Sequence, residues 1–270
     1  MNKKNLVFTS AGNNSAIKRW LSKGQPNFDL CIVFYGDGKC EFEFDAKYIF
    51  YRKGGKFQNL HYVFKNHADV LSQYEAIFVP DDDLKMNASD INKLFSIRED
   101  YSLYILQPSF NRMGKVSHSI TVAKPFTSIR FTDFVEIACP LFEKNYLLDF
   151  LAIFDNRANC TGVDFWFCNK ASQEHNKIAI SDEIYCLNPH DYEKGGQREI
   201  DKFQSNEQRY KTWKMVKAEN NLNFPEMVFK TFGCVYKIKL SQILLVIYQI
   251  CGSLVLRMYH KLKRVLNYLL

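Results

Sequence analysis

The sequence predicts an α/β fold, a mixed and mainly parallel sheet flanked by helices, on three observations. Short unbroken apolar runs recur along the chain, stretches with helical spacing separate them, and several runs stop abruptly at small or acidic residues. Strands covered on both faces read as continuous apolar runs, and their alternation with helices is the mark of a layered α/β sheet. In such sheets ligands bind where loops leave the carboxyl ends of the strands.

The elements follow in order. Residues 5–11 (NLVFTSA) and 28–35 (FDLCIVFY) are strands, the second stopped by Gly36, Asp37 and Gly38. Between them, 16–22 places Ile17, Trp20 and Leu21 at helical spacing and completes a β-α-β opening. Residues 47–51 are a third short strand before the RKGGK turn at 52–56, 58–72 are helical, and 74–80 (YEAIFVP) form a strand that runs into three aspartates. Residues 87–98 are a helix with Ser89 as its cap, and 103–107 are a strand. The Ser-, Thr- and Lys-rich stretch 109–133 is expected as loops and irregular strands, 133–137 as a short apolar piece, 141–154 and 163–169 as helices, and 178–180 as the last strand.

Composition bounds the function. The 270 residues, 47% hydrophobic and 24% charged, suffice for one large domain with a substantial core, which excludes a disordered or fibrous chain. The eight cysteines form no CxxC pair and mostly sit in apolar segments, so free thiols in a reducing cytosol are expected instead of a zinc ribbon or a disulfide scaffold. The first ten residues, MNKKNLVFTS, hold too short an apolar run for a secretory signal. Of the 36 basic residues, seven (Lys230, Lys237, Lys239, Arg257, Lys261, Lys263, Arg264) lie in 227–270, which has no acidic residue; residues 1–226 keep 29 of each sign. The body is neutral, whereas a nucleic-acid enzyme needs a basic stripe across it, so no nucleic-acid partner is expected.

The sharpest motif is AIFVPDDDL at 76–84. Three carboxylates crowded at a strand end repel one another unless a cation sits among them, and a hard divalent ion with oxygen ligands, Mn2+ or Mg2+, is the natural one. Asp81 and Asp83 can converge on it, leaving Asp82 for a sugar hydroxyl or ribose; an acidic turn capping the next helix is the competing reading. Thr9, Ser10, Ala11 and Gly12 are small enough for backbone to approach a nucleotide. Asp37 after the second strand reads equally as a base-side carboxylate or an ordinary turn residue. Lys56, beside Gly54 and Gly55, reads as a phosphate ligand or as a solvated turn lysine.

The order of these features is similar to that of GT-A nucleotide-sugar transferases. The ordered set VFTSAGNN (7–14), NFDLCIVFYGD (27–37), FVPDDDL (78–84), LQPSF (106–110), FVEIACPLF (134–142), GVDFWF (162–167) and KIAISDEIYCLNPH (177–190) resembles the domain-of-unknown-function 707 family, itself similar to GT-A enzymes. The resemblance spans roughly 5–192 and implies a nucleotide-sugar donor, a metal at Asp81 and Asp83, and His190 as a third metal ligand, although a loop histidine without that role fits the position nearly as well. It makes Asp164 the carboxylate that takes the acceptor proton in an inverting transfer, with Glu136, set in an apolar run, as the alternative base. Phe110, Phe165 and Trp166 can stack on a sugar or simply fill the core.

From Leu240 on, apolar residues recur at helical spacing, and Gln242, Gln249, Arg257, His260, Lys261, Lys263, Arg264 and Asn267 fall on the other face. This pattern predicts a basic amphipathic helical appendage, and a membrane-association segment over 227–270 follows the transferase domain of 1–226. A helix packed on its own domain or on a second copy is the other reading. The expectation is a cytoplasmic transferase, peripheral on the inner face of the membrane, that moves a sugar to a glycan or lipid-linked acceptor in cell-envelope or capsule polysaccharide synthesis. A metal-dependent phosphoryl-transfer or hydrolytic enzyme, and a non-catalytic nucleotide-sugar or membrane-docking protein, are the alternatives.

Overall fold

The computed structural model describes residues 3–171, 174–194, 199–226, 229–237, 248–254 and 258. Its elements are β1 (Asn5–Ala11), α1 (Ile17–Trp20), β2 (Phe28–Phe34), β3 (Tyr48–Tyr51), α2 (Lys56–Asn66), α3 (Ala68–Ser72), β4 (Ala76–Phe78), α4 (Ala88–Asp100), β5 (Ile105–Phe110), β6 (Thr127–Thr132), β7 (Leu141–Glu143), α5 (Lys144–Ile153), α6 (Val163–Lys170), β8 (Ile178–Cys186), α7 (Glu199–Phe203), α8 (Asn206–Glu219) and β9 (Thr231–Tyr236). The strands form one sheet in the order β3-β2-β1-β4-β7-β5-β8-β6-β9. β3, β2, β1 and β4 are parallel neighbours, as are β5 and β8, while β7 and β6 run against the strands beside them.

The period of two along the strands divides the core into two layers. Leu6, Phe8, Cys31 and Val33 point to the face covered by Phe57 and Leu60 of α2, Phe150 of α5, Trp166 of α6 and Trp213 of α8. Val7, Leu30, Ile32 and Phe34 point to the other face, under Trp20 of α1 and Ile91, Leu94 and Phe95 of α4. Each such side chain, fully buried, contributes roughly 1.5–3 kcal/mol, so this doubly covered sheet is what holds the domain together.

Several boundaries differ from the sequence expectation, for local reasons. Asn87, not Ser89, caps α4: its side chain accepts from Asp90 N. The stretch 141–154 is not one helix, because Leu141–Glu143 is drawn between β4 and β5 as β7; α5 begins only where the Glu143 side chain caps it through Tyr146 N. The polar stretch 109–133 contains β6, whose Arg130 is fully buried against Asp182 on β8, with Nε to Oδ2 at 2.7 Å and Nη2 to Oδ1 at 3.0 Å. β8 is longer than expected and is not the last strand: β9 pairs with β6, so the boundary at 226 falls short of the end of the sheet.

Phe110 and Trp166 are core residues, and Phe165 packs on Phe134 and Phe229, so the stacking role open to them is corrected to packing. Gly162, which opens α6, is required as glycine: its φ is +80°, and a Cβ would stand 2.0 Å from the Trp213 ring. Of the C-terminal appendage, 248–254 are helical; most of the rest of 240–270 lies outside the described residues. Gln249 is 3% exposed, whereas Ile250, Leu254 and Met258 are 51%, 53% and 68% exposed. A Cβ on Gly252 would overlap Met113 Sδ, so this helix lies close on the loop after β5. No helix among the described residues is long and apolar enough to cross a membrane.

Candidate active site

The carboxyl ends of β1, β2, β4, β5 and β8 lie along one edge of the sheet, and the start of β7, which runs the other way, lies there too. The segments leaving these ends enclose a cavity of about 760 Å³ lined by Ser10, Tyr35, Lys56, Asp81, Asp82, Asp83, Lys85, Lys115, Glu136, Asp191 and Glu193, among others. A second cavity of about 430 Å³ lies beside it, lined by Gly12, Asn13, Asn14, Tyr35, Gly36, Asp37, Lys53 and Phe203; Asn14, Tyr35 and Phe203 line both.

The acidic turn forms one wall. Asp82 Oδ2 accepts from Gly12 N at 2.9 Å and from Tyr35 Oη at 3.4 Å, tying the ends of β1 and β2 to the turn after β4. Desolvation, with Asp83 and Asp81 adding to it, pushes the Asp82 carboxyl up to about 7. Asp81 is held by Lys56, whose Nζ lies 2.7 Å from Asp81 Oδ1. Of the small residues at and just after the end of β1, Ser10 lines the main cavity and Gly12 the second; Thr9 donates to Pro80 O at 2.9 Å and Ala11 is core, so neither of the latter faces a ligand. Asp37 borders the second cavity, 2.9 Å from Lys53 Nζ.

Glu136 stands in the wall contributed by the segment before β7. It is 4% exposed and accepts from Thr121 Oγ1 at 2.7 Å and from His118 N at 3.3 Å. Desolvation raises its carboxyl to about 7, against the lowering effect of those bonds and with the charges of Asp164 and Asp81 adding to the rise. Asp164 is buried on the first turn of α6, takes the N–H groups of Phe165 and Ile137, and is raised by burial to about 6. It does not appear among the residues lining either cavity: it braces the segment that carries Glu136.

His190 is not brought to the aspartates. Its Nε2 is 3.1 Å from Met113 O, its ring stacks on Tyr192, and its N–H goes to Glu193. Among the described residues no group of three or more His, Cys, Asp or Glu side chains is arranged to hold a metal ion. Asp81 and Asp83 both line the main cavity, with Lys56 engaging Asp81 through Oδ1, and two carboxylates are the oxygen donors that a hard divalent cation takes.

Two ion pairs in the cavity lining escape motif reading. Lys115 meets both oxygens of Asp191 at 2.8 and 2.7 Å, and Lys85 lies 3.6 Å from Glu193. These pairs join residues 76 and 108 positions apart, so only the signal that both flank strand ends could have singled them out.

Comparison with known proteins supports the fold. No curated protein matches the chain in sequence. In structure the chain is similar to S. aureus TarS 1-349, with TM-score 0.55 and 15% identity over 83% of this chain and 67% of that one. The complex of the same fragment with UDP-GlcNAc matches with TM-score 0.53 and 15% identity over 83% and 68%. A longer S. aureus TarS chain matches with TM-score 0.51 and 14% identity over 83% of this chain but 40% of its own length. The family model described as Protein of unknown function (DUF707) matches residues 61–133, a segment that runs from α2 through the acidic turn to β6, so the resemblance to the domain-of-unknown-function 707 family holds over the strand end on which this site is built.

Proposed function

We propose that the protein is a glycosyltransferase that takes a sugar from a nucleotide-sugar donor and transfers it with inversion to a hydroxyl of a glycan or lipid-linked acceptor. The observation that carries this reading is that Asp81, Asp82, Asp83 and the buried Glu136 line one cavity at the carboxyl edge of the sheet. The fold shared with TarS, one of whose crystals holds UDP-GlcNAc, supports UDP-GlcNAc as the first donor to try.

In this reading the nucleoside lies in the smaller cavity, between the ends of β1 and β2 and against Phe203, with Asp37 at its rim. A divalent cation, Mn2+ or Mg2+, held by Asp81 and Asp83 would neutralise the diphosphate. Glu136 is the general base: as the acceptor hydroxyl attacks the anomeric carbon, its proton passes to the carboxylate while the bond to the diphosphate breaks, with no covalent intermediate. A base whose pKa lies near 7 suits this task. Asp164 orients the Glu136 segment through Ile137 N.

The tail supports peripheral attachment to an anionic membrane surface. Its described helix turns Gln249 inward and Ile250, Leu254 and Met258 outward, and 227–270 carries seven basic residues and no acidic one. Such an anchor suits a lipid-linked acceptor in cell-envelope polysaccharide synthesis on the cytoplasmic face.

Thermal-shift screening against UDP, GDP, CDP and CMP sugars, with and without Mn2+, tests the donor reading, because a ligand that binds the native state raises the unfolding temperature. A metal-dependent rise with one nucleotide class is expected; no rise with any of them refutes the transferase.

A further inference from the structure

We infer that Lys56 is a positioning residue that fixes the Asp81 wall of the cavity against the Glu136 wall, and that it is not a ligand for phosphate. The inference rests on the glycosyltransferase reading above. The Lys56 side chain is 7% exposed. Its Nζ has four oxygens around it: Val79 O at 2.8 Å, Ile137 O at 2.7 Å, Ala138 O at 3.2 Å and Asp81 Oδ1 at 2.7 Å. An ammonium has three N–H donors, so this cage leaves none for a phosphate oxygen.

The four oxygens come from the two walls. Val79 and Asp81 flank Pro80 at the end of β4, while Ile137 and Ala138 directly follow Glu136. The same walls are laced by Asp81 N to Ala138 O at 2.7 Å and Val79 N to Pro140 O at 2.8 Å, and Lys56 adds a charged tie between them. Lys56 is also the first residue of α2, where the helix dipole disfavours a cation. A buried ammonium in that position is stabilised by the carboxylate and carbonyls that enclose it. Holding the donor-side carboxylate and the base at a set separation matters because a misplacement of about 1 Å in a reacting constellation costs on the order of 100-fold in rate.

The test uses the full chain, UDP-GlcNAc with Mn2+ for kinetics and UDP for calorimetric binding. K56M keeps the length of the side chain and removes the charge. Expected is a kcat lowered about 100-fold, with KM for the donor and the UDP affinity within about threefold of wild type. A KM and UDP dissociation constant raised about tenfold or more with kcat unchanged would identify a phosphate ligand and overturn the inference. Should K56M not fold, K56R decides: a guanidinium does not fit a cage built for an ammonium, so the same kcat loss is expected, and wild-type kcat contradicts the inference. If wild-type protein binds no UDP, the transferase reading fails separately. The tie is then judged by urea unfolding of K56M, D81N and the double variant, where coupling between the two sites upholds it and additivity overturns it.

Discussion

Thr121 Oγ1 donates to Glu136 Oε1 at 2.7 Å, and this bond holds a buried carboxyl raised to about 7 in the cavity wall. Because the folded value lies above the ordinary 4.5, the neutral form is the one folding favours. The stability it contributes is complete below about pH 4.5 and is lost as pH rises through 7. Removing the titration with E136Q should therefore raise the urea midpoint relative to wild type above pH 7, and the two should converge near pH 4. Transfer should fall by roughly 10²–10⁴, and the rise of activity with pH near 7 should disappear with it. An E136Q enzyme that keeps both its rate and its pH profile would remove Glu136 as the base.

Asp164 separates bracing from chemistry. Its carboxyl takes the N–H groups of Phe165 and Ile137 from behind the cavity wall. D164N should lower kcat by roughly tenfold, well short of the E136Q loss, and should leave the ascending pH limb in place. A D164N loss as deep as that of E136Q, with the pH limb gone, would return the base to Asp164.

The Arg130–Asp182 pair predicts a stability effect away from the chemistry. Both side chains are fully buried, and the guanidinium also donates to Ile120 O and Val122 O, so β6, β8 and the segment before β6 meet on one ion pair. Removing one partner of a buried pair leaves an uncompensated charge, so R130M should cost about 3–5 kcal/mol in urea unfolding. The double variant R130M/D182L should recover part of that loss, whereas equal or greater loss would show that the pair itself is strongly stabilising.

How far the sequence shows this molecule can be seen residue by residue. β1, β2 and the strand before Asp81 were legible because strands buried on both faces must be apolar throughout, and the acidic stop after Pro80 marks their carboxyl edge. Within 109–133, expected as loops and irregular strands, the place of β6 was hidden because its inward face carries Arg130, which is satisfied by an aspartate 52 residues away and by the carbonyls of Ile120 and Val122. β9 was hidden in a segment whose charge suggested a tail. In the site, the aspartates were visible as a local run. The environment of Lys56 was not: three carbonyls and one carboxylate, from the turn after β4 and from the segment before β7, meet it only once the sheet has formed.

Because β9 belongs to the sheet, the tail should be removed after Lys237, not after 226. The chain cut there should keep its nucleotide affinity and fail to float with anionic liposomes. Full-length protein should float, and more weakly in high salt, since each basic residue near such a surface contributes about 1 kcal/mol that salt screens. Unfolding or aggregation of the shortened chain would assign the tail to the core or to a second copy, and would remove the membrane attachment.

Calorimetric titration of the full-length protein with UDP in Mn2+, alongside D83N, tests the transferase reading most directly, since Asp83 lines the cavity beside the held Asp81. The account predicts saturable, Mn2+-dependent binding to the wild type and its loss in D83N, whose circular dichroism and urea midpoint remain those of a folded protein. Absence of UDP binding in the wild type, or undiminished binding in D83N, would contradict it.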